Sequence, residues 1–115
     1  MEEQIVINKF FHEMQKGPNN PEINKIINQI NSEFSNSYIL QYYIGHFYMK
    51  IHSYEMAEEQ FLKCINLSRF FSEPYFELCD YYVSVGRISE AETLLMNIYE
   101  KKTMRRILQN VLFIN

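Results

Sequence analysis

Three histidines and two cysteines are the side chains of this 115-residue sequence best suited to bind a metal or to act as nucleophiles. His12, His46 and His52 have no cysteine or carboxylate at a recognised metal-ligand spacing, so we predict no metal site. We expect His12 and His46 to make hydrogen bonds at a binding surface. Cys64 and Cys79 hold positions where a small side chain packs well, and we interpret both as core residues rather than reactive thiols.

Motifs that carry enzyme chemistry are missing from the sequence. It contains no glycine-rich phosphate loop, no HExxH segment and no nucleophile elbow. The carboxylates Glu55, Glu58 and Glu59 have the spacing of a solvated helix face. We therefore predict that the chain is not an enzyme and uses no cofactor.

The charge distribution narrows the classes of partner. The net charge is −3, but residues 1–100 hold 7 basic and 14 acidic side chains, whereas residues 101–115 hold 4 basic ones and no acid. An acidic body argues against general nucleic-acid binding and against anionic membranes. No apolar stretch approaches the 18 residues of a membrane span, and the acidic N-terminus does not resemble a signal peptide. Together with the two cysteines, this predicts a cytoplasmic protein.

Breaks, caps and apolar periodicity predict seven helices joined by short loops. Asn20 and Pro21 are a suitable N-cap and first residue for the second helix, and Gly86 suits a left-handed turn after the fifth. Ser89 and Glu92 have capping-box spacing at the start of the sixth, and Thr103 could cap the seventh. We expect the first, third, fourth and fifth helices at 2–16, 38–51, 54–67 and about 72–85. The sixth is expected to end near Lys102.

Apolar and small residues recur at a constant offset of 34 positions, which is typical of stacked helix–turn–helix repeats. Six residues of one segment match six of the next in size class. The first set is Gly45, Tyr48, Tyr54, Ala57, Phe61 and Cys64, and the second is Cys79, Tyr82, Ile88, Ala91, Leu95 and Ile98.

These residues resemble the tetratricopeptide repeat, in which small residues let two helices approach and large ones fill the space between helix pairs. The repeats cover 38–71 and 72–105, with a degenerate copy at 4–37, where Phe11 and Ile23 stand at positions that are usually small. Residues 106–115 begin a further or capping helix. The resemblance implies a single domain with an all-α fold, a right-handed α-solenoid of antiparallel helix pairs with about seven helices.

In that family the first helix of each pair lines a concave groove that binds a peptide or protein. The resemblance therefore implies a noncatalytic protein-interaction scaffold, although several groove side chains could simply cover the core. A known subset of the family grips a peptide's terminal carboxylate, but Glu73 and Glu77 stand at two of those positions and would repel it. The implied groove residues are Asn8, His12, Ile39, Tyr42, His46, Met49, Glu73, Phe76 and Asp80.

The last predicted helix is apolar around much of its circumference, whereas a repeat array normally ends in a polar cap. One interpretation is homo-oligomerisation through Leu108, Val111, Leu112 and Ile114. Another is that the array continues into a larger enzyme, such as an O-linked sugar transferase, in which the repeats would mediate oligomerisation or recruit substrates.

Overall fold

The computed structural model describes the backbone of residues 2–97 and 101–114, and the side chains of 2–97 and 106–112. All regular structure in these residues is α-helical, as the sequence predicts. None of the described helices is long and apolar enough to cross a membrane. The helices are α1 Glu2–Met14, α2 Pro21–Glu33, α3 Tyr38–Lys50, α4 Tyr54–Leu67, α5 Glu73–Ser84, α6 Ile88–Met96 and α7 Lys101–Ile114.

The chain divides into two compact units, Met1–Leu67 and Ser68–Asn115. In the first, α1 packs on α2 and α3, and α3 packs on α4; in the second, α5 and α7 contact each other and α6. The boundary falls near the expected repeat limit at 71/72. That the whole chain is one repeat domain stays a prediction.

The core of the first unit is built from apolar stripes at helical spacing on α1, α2 and α3. The four isoleucines of α2, whose spacing predicts one apolar helix face, are all buried there. Ser37 caps α3 by accepting from the Leu40 N–H, and its hydroxyl donates to Glu3 of α1 at 2.8 Å. The core side chains are Val6, Phe10, Ile23, Ile26, Ile27, Ile30, Leu40, Ile44 and Phe47.

Close packing of α3 on α4 depends on Gly45. A Cβ atom at this position would lie 2.7 Å from Cε1 of Phe61, which is far inside van der Waals contact. Phe61 and Ala57 on α4 are fully buried. At the turn the Tyr48 carbonyl accepts from the Ser53 N–H, and one helical turn or more away from it the ring of Tyr42 on α3 contacts that of Phe61 on α4. The two helices therefore run antiparallel.

The second unit has an equivalent arrangement of small and large side chains. Ala91 and Leu95 on α6 are fully buried, and Leu78 and Cys79 on α5 have at most 1% of their surface exposed. Leu108 of α7 joins them with 6% of its surface exposed. The described core is Tyr75, Leu78, Cys79, Tyr82, Ala91, Leu94, Leu95 and Leu108.

The two helical turns repeat bond for bond at the offset of 34 residues. At the end of α3 the N–H groups of Ile51, His52 and Ser53 donate to the carbonyls of Phe47, Met49 and Tyr48. At the end of α5 the corresponding donors are Val85, Gly86 and Arg87, and the acceptors are Tyr81, Val83 and Tyr82. His52 and Gly86 both have positive φ, at 63° and 83°. The sequence period is therefore also a period of local backbone structure.

Three local predictions are wrong. The Ser89–Glu92 capping box is not formed, because α6 begins at Ile88 with Arg87 as its N-cap. Thr103 lies inside α7, which begins at Lys101, so it is not a cap. α6 ends at Met96 rather than near Lys102; residues 98–100 lie outside the described part.

Exposure also departs from the helix faces expected for two residues. The apolar spacing of α4 predicts a buried stripe that includes Met56, but this side chain is 49% exposed. Phe11 of α1, at a position where the resemblance implies a small residue between helices, is 40% exposed. Ile23, at the other enlarged position, is buried in the core.

Asn20 joins the end of α1 to the start of α2, as a cap should. Its Oδ1 accepts from the Glu22 N–H at 3.1 Å, and its Nδ2 donates to the Glu13 carboxylate at 2.8 Å. Lys16 Nζ lies 3.1 Å from the other Glu13 oxygen. These two hydrogen bonds hold the pKa of Glu13 below its ordinary value of 4.5.

Acidification is expected to weaken the Asn20 cap. Because the pKa of Glu13 is lower in the folded chain, its stabilising effect is present above pH 4.5 and is lost as pH falls through the folded value. In Glu13→Gln this part of the pH dependence should disappear. Urea unfolding between pH 3 and pH 7 tests this, and parallel curves for the variant and the wild type would contradict it.

Candidate functional site

The expected groove residues of the first unit lie on α1 and α3, which pack together. Asn8 and His12 are exposed on α1; the Asn8 side chain accepts from Gln4 at 3.0 Å, and His12 lies 4.0 Å from the Glu13 carboxylate. Their neighbours on α3 are half-buried. These are Ile39, Tyr42, His46 and Met49.

Aromatic rings form a continuous wall across these two helices. Phe11 of α1 meets Tyr43 of α3 edge to face, with centroids 4.9 Å apart. Tyr43 contacts Tyr42 at 5.4 Å, and Tyr42 stacks on His46 at 6.1 Å. Tyr42 also leans on the buried Phe61 at 5.9 Å, which fixes one face of its ring. We call Phe11, Tyr42, Tyr43 and His46 the aromatic wall.

The wall contains two residues that the sequence pattern did not select for binding. The pattern assigned Phe11 to a position that is usually small and gave Tyr43 no role, yet both rings remain partly accessible. The available signal was the large side chain at the small-residue position of Phe11. A wall of half-exposed rings can hold apolar or planar groups of a ligand at little cost in side-chain entropy, because its members already pack on one another.

On α5, in the second unit, the expected groove residues carry negative charge. Glu73 and Asp80 are exposed, and Phe76 between them is 39% exposed. The pKa of Asp80 is raised by partial burial and by the nearby Glu77. A cationic group bound here would relieve the repulsion between these carboxylates.

The expected self-association residues of α7 differ in their availability. Leu108 is buried within its own unit, so it is not available to a partner. Val111 is half-buried and Leu112 is 43% exposed. The side chain of Ile114 lies outside the described residues.

The histidines and cysteines do not come together in a chemical site. Within the described side chains, no three of His, Cys, Asp and Glu converge as metal ligands would. His52 Nδ1 contacts the Tyr54 hydroxyl at 2.5 Å, next to a turn. Both cysteines are buried, and burial raises the thiol pKa to about 12 for Cys64 and about 11 for Cys79. Such thiols are almost entirely protonated at neutral pH and are poor nucleophiles.

A pocket that the sequence reasoning missed lies between the C-terminal ends of α1 and α3. Its volume is about 420 Å³, and Phe11 of the aromatic wall forms part of its edge. It depends on a tertiary contact between two helix ends, for which a single sequence carries no periodic signal. Its lining residues are Phe11, Met14, Gln15, Pro18, Phe47, Lys50 and Ile51.

Comparison with known proteins identifies no relative whose function could be compared with these features. No family model, no curated protein and no solved structure matches the chain. The features that bear on function are therefore the aromatic wall, the acidic face of α5 and the pocket.

Proposed function

We propose that this protein is a noncatalytic interaction scaffold of the helical-repeat type, resembling a tetratricopeptide-repeat solenoid, and that it binds a peptide or protein segment. The aromatic wall is the observation that carries the proposal. Its rings are packed against one another and against the core, yet remain partly accessible. Tyr and Phe side chains presented in this way are typical anchors of protein interfaces.

The repeated backbone supports the repeat assignment. Two turns with the same hydrogen bonds and the same left-handed residue, 34 positions apart, are what a duplicated helix–turn–helix unit would produce. Gly45 and Ala57 on one pair, and Cys79 and Ala91 on the other, place buried small side chains at matching positions. A stack of such pairs is an interaction architecture in which no helix needs to carry chemistry.

The charges of α5 indicate which ligand this helix of the second unit would favour by itself. Glu73, Glu77 and Asp80 lie four and three positions apart, on one face of the helix. With Phe76 beside them, this face favours a segment that combines basic and apolar residues. A peptide with a terminal carboxylate or a run of acids would be repelled.

Truncating a wall residue should weaken ligand binding without unfolding the chain. We expect Tyr42→Ala to lower the affinity for a selected peptide by about tenfold or more, as loss of a central interface aromatic does. The ligand would come from a displayed random-peptide library panned on the wild-type protein, with affinity measured by fluorescence anisotropy. Helical content by circular dichroism serves as the folding check.

A matched control comes from α4. Tyr54→Ala removes an aromatic side chain of similar exposure, 38%, that lies outside the wall. We expect Tyr54→Ala to bind the peptide like the wild type. Equal affinity of Tyr42→Ala, Tyr54→Ala and the wild type, or a library that yields no binder, would contradict the proposed function.

A further inference from the structure

Phe70 is the most exposed large apolar side chain among the described residues. It is 92% exposed, whereas the next, Ile5, is 67% exposed. Phe70 lies in the turn between α4 and α5, which is closed by a hydrogen bond from the Phe71 N–H to the Ser68 carbonyl. The adjacent Arg69 donates to the carbonyl of Asn97 at 3.0 Å. The turn is thus tied to the end of α6, while its phenyl ring, with the Arg69 guanidinium 6.0 Å from the centroid, stays largely in water.

The pocket between α1 and α3 has the size and lining to receive such a ring. An apolar cavity of about 150 Å³ is sufficient to hold benzene, and this pocket is larger, about 420 Å³. Phe11, Met14 and Phe47 supply aromatic and thioether surface, which packs well on a phenyl edge. The remaining volume leaves room for the neighbouring backbone.

One pair of opposite charges, Lys50 and Glu73, also lies at the two surfaces. Lys50 is the one charged residue that lines the pocket, and among the described residues it has no ion-pair partner. The carbonyl oxygens near the ends of both helices already accept N–H bonds, for example Phe11 from Gln15 and Phe47 from Ile51. No other described residue that lines the pocket carries a formal charge. Glu73, three residues after Phe70, is exposed and acidic.

We propose that Phe70 of one copy inserts into the α1–α3 pocket of a second copy, with Glu73 facing Lys50. The two contacting surfaces are different, so the interface is head-to-tail rather than two-fold symmetric. A dimer joined by one such contact still has one unused pocket and one unused Phe70. Association therefore continues beyond the dimer or closes into a ring.

The test is a complementation experiment followed by sedimentation velocity over a concentration series. Phe70→Ser removes the inserting ring, and Gln15→Trp, at an exposed lining residue, fills the pocket. Each variant alone should associate at least tenfold more weakly than the wild type, as loss of an interface anchor does. Mixed together, they should form a 1:1 dimer and nothing larger, because one intact pocket meets one intact Phe70.

Several results would overturn the proposal. These are a monomeric wild type at all concentrations, unchanged association of Phe70→Ser, or a mixture that gives no dimer. Association that persists in Phe70→Ser but is lost in Leu112→Glu would assign self-association to α7 instead. Ile5→Ser, which removes the next most exposed apolar side chain, is the matched control and should associate like the wild type.

A second pocket variant guards against misfolding of Gln15→Trp. Lys50→Glu should weaken association about fivefold, and adding Glu73→Lys to the same chain should restore most of it. Failure of the charge exchange to restore association would contradict the pairing of these two residues. Tyr42→Ala does not touch the pocket and should leave self-association intact, which separates this inference from the proposed peptide site.

Discussion

Replacing Gly45 by valine is expected to lower the free energy of unfolding by about 2–3 kcal/mol, the upper part of the range for overpacking a core. The Cβ atom would fall 2.7 Å from the ring of Phe61, which is fully buried and has no room to withdraw. Valine adds two methyl groups beyond that atom. Either α4 must move away from α3, or the Phe61 ring must leave its preferred rotamer.

The clash can be separated from helix propensity by a double-mutant cycle. Alanine at position 45 gains about 1 kcal/mol of intrinsic helix stability over glycine, which offsets part of its steric cost. Phe61→Leu shortens the opposing side chain. We expect urea unfolding to show that Gly45→Ala lowers the free energy of unfolding less in the Phe61→Leu background than in the wild type. Simple additivity would mean that the two side chains do not meet.

Truncating Phe10 is expected to lower the free energy of unfolding by about 3–5 kcal/mol, as for other fully buried phenylalanines. Its side chain is 1% exposed and meets Phe47 of α3 edge to face at 6.0 Å. Phe10→Ala leaves a cavity where α1 contacts α3. The neighbouring side chains cannot fill it, since they already occupy their own packed positions.

Phe11→Ala is the matched control, because it is the same substitution one residue further along the same helix. Phe11 is 40% exposed, so its loss should lower the free energy of unfolding by about 1 kcal/mol. Chemical unfolding of both variants, followed by circular dichroism, gives the comparison. Equal losses, or a larger loss for Phe11→Ala, would show that α1 presents a different face to the core.

Features with a local cause were predictable from the sequence. Asn20 caps α2 because its side chain reaches an N–H two residues away. Gly86 adopts a left-handed backbone conformation because it lacks a Cβ atom. The isoleucines of α2 are buried because their spacing places them on one helix face. The seven helices of the described residues follow from the same short-range rules.

Features that depend on which helices meet were not predictable. Ser89 has the spacing of a capping box, but the Arg87 N–H donates to the Tyr82 carbonyl and the helix begins earlier. For the candidate site, the pattern selected Tyr42 and His46 but missed Phe11 and Tyr43, which complete the aromatic wall. Neither the pocket nor the exposure of Phe70 has a sequence signal, because both depend on tertiary packing.

The matching turns at His52 and Gly86 have different energetic origins. At φ 63° His52 carries a Cβ atom in a region that L-residues avoid, and its ring contacts the Tyr54 hydroxyl in return. Gly86 adopts φ 83° without that steric cost, but glycine has more conformations to lose when the chain folds. The stability of the first turn is thus reduced by backbone strain in the folded state. The stability of the second is reduced by the conformational entropy that glycine loses on folding. Two copies of one backbone joint can therefore respond differently to temperature.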